Sequence, residues 1–257
     1  MAALLDIHDV SLSFGGLKAV DDFALQLSTG DLHGLIGPNG AGKTTVFNLL
    51  TGVYQPQRGS IRLDGRELRG LKSHQITKAG IARTFQNIRL FGELSVLDNV
   101  RVGKHLRSTH TMAAAVGRTP HHMREESDIE DRSMELLSVF NLDKWAGEQA
   151  RNLPYGDQRR LEIARALATH PKVLLLDEPA AGMHTGEKKA LTALIRDIRA
   201  RFGVTILLIE HDMGLVMEVC ERITVLDHGQ TIAVGTPAEI QKNEKVIRAY
   251  LGEPTPA

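Results

Sequence analysis

The residues Gly37, Pro38, Asn39, Gly40, Ala41, Gly42, Lys43, Thr44 and Thr45 spell GxxxxGK[ST], set between the apolar run LHGLIG and the helix-like run TTVFNLLTG. That pattern suits a triphosphate. Glycines let backbone N–H groups close around phosphate oxygens, and the helix that follows adds the partial positive charge of its N-terminus. Lys43 is expected to reach the β- and γ-phosphates. The Thr44 hydroxyl supplies one hard oxygen to Mg²⁺, a cation held mostly by water, phosphate and one or two protein groups.

A second chemical element is VLLLDEP, in which Asp177 and Glu178 follow four apolar residues. Alone, such a pair is only a strand end reaching solvent. Beside a phosphate loop it matches the two tasks that phosphoryl transfer gives to carboxylates: Asp177 holding Mg²⁺ and Glu178 accepting the proton of an attacking water. His211 ends the next apolar run, VTILLIEHD, and is expected at the same sheet edge as Glu178. By residue type it serves equally as a satisfied surface or core histidine. Gln86, in RTFQN, is a candidate to sense Mg²⁺ or the attacking water. Phe14 either stacks on an adenine or fills the core; its type does not decide.

These side chains need particular elements beneath them. VLLLDEP and VTILLIEHD are short, wholly apolar runs of the kind buried on both faces of a parallel sheet. Ligands bind at the C-terminal edge of such sheets. Between them, GEKKALTALIRDIRARFG places Leu191, Leu194, Ile195, Ile198 and Phe202 at helical spacing, with Gly203 as the stop, which predicts a strand, helix, strand crossover. The N-terminal segment alternates like antiparallel strands, and SIRLDGREL predicts a hairpin at Asp64-Gly65. ITVLDHGQTIAVG predicts another hairpin, and Thr236-Pro237-Ala238-Glu239 has the cap, first-position proline and capping-box glutamate of a helix start. The fold class is therefore α/β: a P-loop mixed-sheet core with an N-terminal antiparallel β subdomain and an inserted α-helical subdomain. The whole chain forms one nucleotide-binding domain in this reading, with residues 1–87 and 163–257 as core and 88–162 as the helical part. His121 and His122 are expected in a solvated loop.

The chain has 257 residues, 42% hydrophobic and 24% charged, with 31 basic and 31 acidic side chains. That charge balance argues against a grip on bulk nucleic acid, which calls for a basic excess or stripe. Cys220, the single cysteine, cannot form an intrachain disulfide and reads as a small buried apolar group. No apolar run is long enough to span a bilayer, and MAALLDIHDV lacks signal-peptide character. The chain is expected to stay in the cytoplasm, touching a membrane only through partners.

The segment NLPYGDQRRLEIARALATHP, a glycine-containing turn entering a helix just before VLLLDEP, completes an ordered set. With Phe14, the phosphate loop, Gln86, Asp177, Glu178 and His211 it resembles an ABC-transporter ATP-binding subunit over nearly all of its length. AGIARTFQNIRLFGELSVLDNV, LPYGDQRRLEIARAL, DEPAAGM, IEHDM and VIRAYLGE are similar to subunits that energise uptake of branched-chain and other hydrophobic amino acids, and VIRAYLGE also to the ATPase of lipopolysaccharide export. The resemblance implies ATP and Mg²⁺ as cofactors, with Thr44, Gln86 and Asp177 toward the metal. It implies a sandwich of two cassettes in which Leu153, Pro154, Tyr155, Gly156, Asp157 and Gln158 act on the partner's ATP. It further implies a second ATPase subunit (a heterodimer favoured over a homodimer), transmembrane permease subunits, docked near Leu90, Phe91 and Leu94, and indirectly a solute-binding protein. An exporter subunit, or a soluble ATPase acting on nucleic acid, are the alternatives. Two departures stand out. The family's usual LSGGQ is here Leu153, Pro154, Tyr155, Gly156 and Asp157, without the serine hydroxyl, and His184 replaces the usual aspartate in the loop after Glu178.

Overall fold

The computed structural model describes residues 3–106 and 120–251. Two compact units divide the chain: one runs to Arg83 and resumes at Lys172, and the other spans Thr84–Pro171. These limits differ from the expected 87/88 and 162/163, because Tyr155–Ala168 is one uninterrupted helix that packs with the helix before it in the second unit.

The first unit holds two sheets. Strands β1 (Leu5–Phe14), β2 (Leu17–Leu27), β4 (Arg58–Leu63) and β5 (Arg66–Glu67) pair antiparallel in the order β2-β1-β4-β5. Their register follows the period-two pattern: Leu5 lies opposite both Leu27 and Leu63, and Ile7 opposite both Leu25 and Ile61. A slip of one residue would turn these side chains to the other face. Asp64 and Gly65 both have positive φ, 52° and 73°, as a tight hairpin turn requires.

The second sheet has the order β10-β9-β3-β8-β7-β6, built from β3 (Leu32–Ile36), β6 (Ile81–Arg83), β7 (Val173–Asp177), β8 (Thr205–Ile209), β9 (Arg222–Asp227) and β10 (Gln230–Gly235). All neighbours run parallel except β10 on β9. Every residue of β3, β7 and β8 is buried, which is why these runs are apolar without alternation. Leu35 and Asp177 both align with Ile209, so the ends of β3, β7 and β8 reach one sheet edge together. Helix α1 (Lys43–Leu50) follows β3, and α2 (Ser73–Ala79) precedes β6.

The second unit contains α3 (Val96–His105), α4 (Pro120–Val139) and α5 (Tyr155–Ala168). Ser95 caps α3, its hydroxyl accepting from the Asp98 N–H at 3.0 Å. A Cβ on Gly103 would lie 2.5 Å from the Arg165 carbonyl, so glycine permits the close approach of α3 to α5. His121 and His122, expected in a loop, have helical backbone in α4, which opens at Pro120. The rest of α4 agrees with the helical reading of this part of the chain, and residues 107–119 lie outside the described residues.

Back in the first unit, α6 (Thr185–Phe202) buries Leu191, Ile195 and Ile198. Phe202 does not join them: it is the last helical residue, 43% exposed, where the chain turns away through Gly203 at φ 60°. The helices α7 (Met213–Val219), α8 (Pro237–Gln241) and α9 (Glu244–Leu251) complete the unit. Thr236 caps α8, accepting from the Glu239 N–H while the Glu239 carboxylate accepts from the Thr236 N–H at 2.7 Å. No helix among the described residues is long and apolar enough to cross a membrane.

Candidate functional site

Gly37 leaves β3 at φ 151°, and a Cβ there would overlap the Leu226 carbonyl, so the loop turns as sharply as it does only with glycine. Lys43 then heads α1 with its side chain folded under the loop. Its ammonium donates to the carbonyls of Gly37 and Pro38 at 2.7 and 2.8 Å. Burial lowers the Lys43 pKa, while the charges of Glu178 and Asp177 raise it, so both carboxylates act on this ammonium. A cleft of about 350 Å³ opens on the loop, lined by Phe14, Leu17, Lys18, Gly40 to Thr45 and His228. Thr44 is exposed toward solvent. Phe14 is also exposed and packs edge-to-face on Tyr54, with ring centroids 5.2 Å apart and planes at 70°. Phe14 therefore does not fill the core. Tyr54 escaped sequence reading, since an aromatic after a helix carries no motif.

At the ends of β7 and β8 the side chains converge. Glu178 sits in the left-handed region at φ 46°, with its N–H donating to the Ile209 carbonyl at 2.9 Å. Non-glycine residues held there carry strain of the kind that gathers at functional sites. The His211 imidazole lies 2.7 Å from Glu178 Oε1 through Nε2. Glu210, buried between them in sequence, fixes both flanks: its carboxylate accepts from the Ala180 N–H at 2.7 Å and from the His211 and Asp212 N–H groups at 2.9 and 3.2 Å. A cleft of about 430 Å³ borders Glu178, Met183, Lys188 and His211. His184 caps α6 in a reciprocal box with Glu187, its Nδ1 accepting from the Glu187 N–H at 3.4 Å.

Asp177 is buried and paired. The Arg83 guanidinium donates to its Oδ2 at 2.6 Å (Nη2) and 3.2 Å (Nε), and from Nη1 to Asn48 Oδ1 at 2.7 Å. Arg83 also lies over the Phe47 ring, 5.4 Å from its centroid. One guanidinium thereby ties β6, the Asp177 carboxylate and α1 together. Sequence reading missed both Arg83 and Glu210; the signal available was a charge at the end of a buried run, which by itself is common. No group of three or more His, Cys, Asp or Glu side chains forms a metal cluster among the described residues. The hydroxyl of Thr44 and the carboxylate of Asp177 are nonetheless hard oxygen donors, and that small set fits Mg²⁺ held chiefly by phosphate and water.

In the second unit Gln86 is exposed, and Leu153 to Gln158 span the start of α5. Pro154 takes the cap position with no side-chain cap, and Asp157 stands in the first turn, paired with Arg160 at 3.2 Å. The Gln158 amide turns back to the Leu153 carbonyl at 2.8 Å. Phe91 and Leu94 are exposed and Leu90 half-buried.

A phosphate loop between a central parallel strand and its helix, with acidic residues ending the strand two places along, defines the class of P-loop nucleoside triphosphatases. Within that class the chain belongs to the ABC transporter family, whose profile matches residues 20–181, and it is an ATPase cassette of that family. A second profile, the branched-chain amino acid ATP-binding cassette transporter, matches residues 230–255. The chain is 49% identical over 250 residues to the high-affinity branched-chain amino acid transport ATP-binding protein LivG of Salmonella typhimurium, covering 97% of this chain and 98% of LivG. It is 35% identical over 251 residues to the lipopolysaccharide export system ATP-binding protein LptB of Escherichia coli, covering 98% of each. Its fold is similar to the crystal structure of the ADP conformation of MJ1267, an ATP-binding cassette of an ABC transporter, with a TM-score of 0.84 at 27% identity, covering 98% of this chain and all of that one.

Proposed function

We propose that this cassette couples ATP binding and hydrolysis to the uptake of branched-chain or other hydrophobic amino acids, seated at the cytoplasmic face of the membrane on permease partners. The observation that carries the reading is the end-to-end likeness to LivG, whose name assigns it to branched-chain amino acid transport. Likeness to LptB at 35% identity supports the export alternative less well. The cassette works with a second, non-identical cassette subunit, each providing Leu153 to Gln158 or their counterparts to the other's ATP.

In this reading the loop amides and Lys43 bind the phosphates, and the exposed Phe14–Tyr54 pair offers a face for the base. Thr44, Asp177 and Gln86 hold Mg²⁺, which when bound offsets phosphate charge. Glu178 takes the proton of the attacking water, and His211, in contact with it, keeps that carboxylate oriented. Proteoliposomes containing the permease, this chain and its second cassette, with the solute-binding protein supplied on the opposite side, should accumulate leucine only when ATP is supplied on the cassette side. Accumulation driven equally well by this chain alone would overturn the mixed pair, and none with any branched-chain or aromatic amino acid would overturn the solute class.

A further inference from the structure

Residues 85–91 run through the second unit without helix or strand, yet backbone polar groups there still need partners. Two side chains on one turn of α5 supply them. Arg159 and Glu162 are shut from solvent, with side chains 0% and 1% exposed, and one hydrogen bond joins them, Nη1 to Oε2 at 2.9 Å. Four others go to the loop. Arg159 donates to the Phe85 carbonyl at 2.6 Å and to the Gln86 carbonyl at 2.7 Å. Glu162 Oε1 accepts from the N–H groups of Phe85 and Arg89 at 3.3 and 3.2 Å.

A buried ion pair is a poor source of stability, because an apolar pair of similar volume does as well or better. Its use here is geometric. A guanidinium fork can hold two carbonyls in a fixed plane where an ammonium cannot, and an ionised carboxylate accepts from two amides at once. The grip extends both ways. Arg165 donates to the Arg89 carbonyl and lies over the Phe91 ring, 5.3 Å from its centroid. At the other end Arg159 reaches the Tyr155 hydroxyl at 3.3 Å, with its guanidinium 5.9 Å from that ring. Tyr155 stands where the commonest signature has glycine, and the arginine beneath it gives the aromatic side chain a seat.

We propose that the Arg159–Glu162 pair is a positioning clasp that joins residues 85–91 and the first turns of α5 into one mechanical body, so that displacement of the exposed Phe91 end of the loop is delivered to Tyr155–Gln158. The clasp itself stands on geometry alone; its consequence for turnover rests on the proposed role of Gln86 and Leu153–Gln158 in ATP hydrolysis.

Amide hydrogen exchange on the full-length chain reads the clasp directly. In Arg159→Met/Glu162→Leu, exchange at Phe85 and Arg89 should quicken about tenfold or more, the loss of a charge-assisted hydrogen bond, while nucleotide affinity is kept. Should that double variant not fold, Glu162→Gln carries the test by keeping the shape and giving up the charge. Unchanged protection at Phe85 and Arg89 in a folded variant overturns the clasp. In the assembled transporter the same variant should lower kcat for ATP severalfold with KM unaltered; full kcat with a loosened loop overturns the mechanical link. Failure of the functional reading is separable, since the unsubstituted complex would then show no transport-coupled turnover.

Discussion

The sheet edge of the first unit and the loop-to-helix clasp of the second place their charges in opposite surroundings. At the edge, Glu178 and His211 meet with side chains 15% and 42% exposed, and Thr44 opens to solvent. In the clasp, Arg159 and Glu162 are sealed, and burial pushes the Glu162 carboxyl upward against the opposing pull of the Arg89 amide and the Arg159 charge. Charges at strand ends that keep some exposure can meet an outside molecule and can change without loosening the fold. Sealed charges act on their own backbone. In the proposed mechanism the difference separates residues that would do chemistry from residues that hold the shape in which it occurs.

The largest effect should come from the open side of this comparison. Glu178→Gln keeps the volume and loses the proton acceptor, so turnover should fall by about 10²- to 10⁴-fold, with ATP affinity and unfolding midpoint nearly unchanged. Steady-state hydrolysis beside an equilibrium nucleotide titration checks this, and retained turnover would move the base elsewhere. Arg83 tests where the two kinds of charge meet, because it is itself buried yet grips the Asp177 carboxylate at the working edge. Arg83→Met should destabilise the chain by about 3 kcal/mol, the cost of taking the closest cation from a buried carboxylate. Arg83→Met/Asp177→Asn should recover much of that loss in denaturant unfolding. Equal stability of the single variant and the parent would show that the other contacts of Asp177 suffice.

Most of the first unit was legible in residue types. The phosphate loop, the acidic strand end and the apolar runs of β3, β7 and β8 are dictated by what they must bind or bury, and those demands write themselves into neighbouring residues. The cap of α8 was legible for the same reason, Thr236 and Glu239 being three residues apart. Long-range contacts were not. Arg83 and Asp177 are 94 residues apart, and Arg159 meets carbonyls 73 and 74 positions away, so nothing local marks them. His121 and His122 were placed in a loop because the first turns of α4 lack an apolar stripe, and Phe202 was misplaced because periodicity does not say where a helix's buried face ends.

The smallest predicted effect lies inside the strand that feeds the phosphate loop. His33 on β3 is 3% exposed, its Nε2 2.8 Å from the Thr224 hydroxyl, and burial, reinforced by Arg222, lowers its pKa to about 4. An unfolded chain binds that proton below about pH 6.5, whereas the folded chain resists it until about pH 4. The unfolded state therefore holds more protons across this window, and stability must rise with pH through it and fall as the medium is acidified from 6.5 toward 4. The loss should total at most about 3 kcal/mol from this one group, and less where water reaches the ring. His33→Gln removes the titration, so the difference between parent and variant in urea unfolding should narrow steadily from pH 7 to pH 4.5. A difference constant over that range would mean that the imidazole is protonated within the fold, and that the interior of this sheet accepts a charge as readily as its edge does.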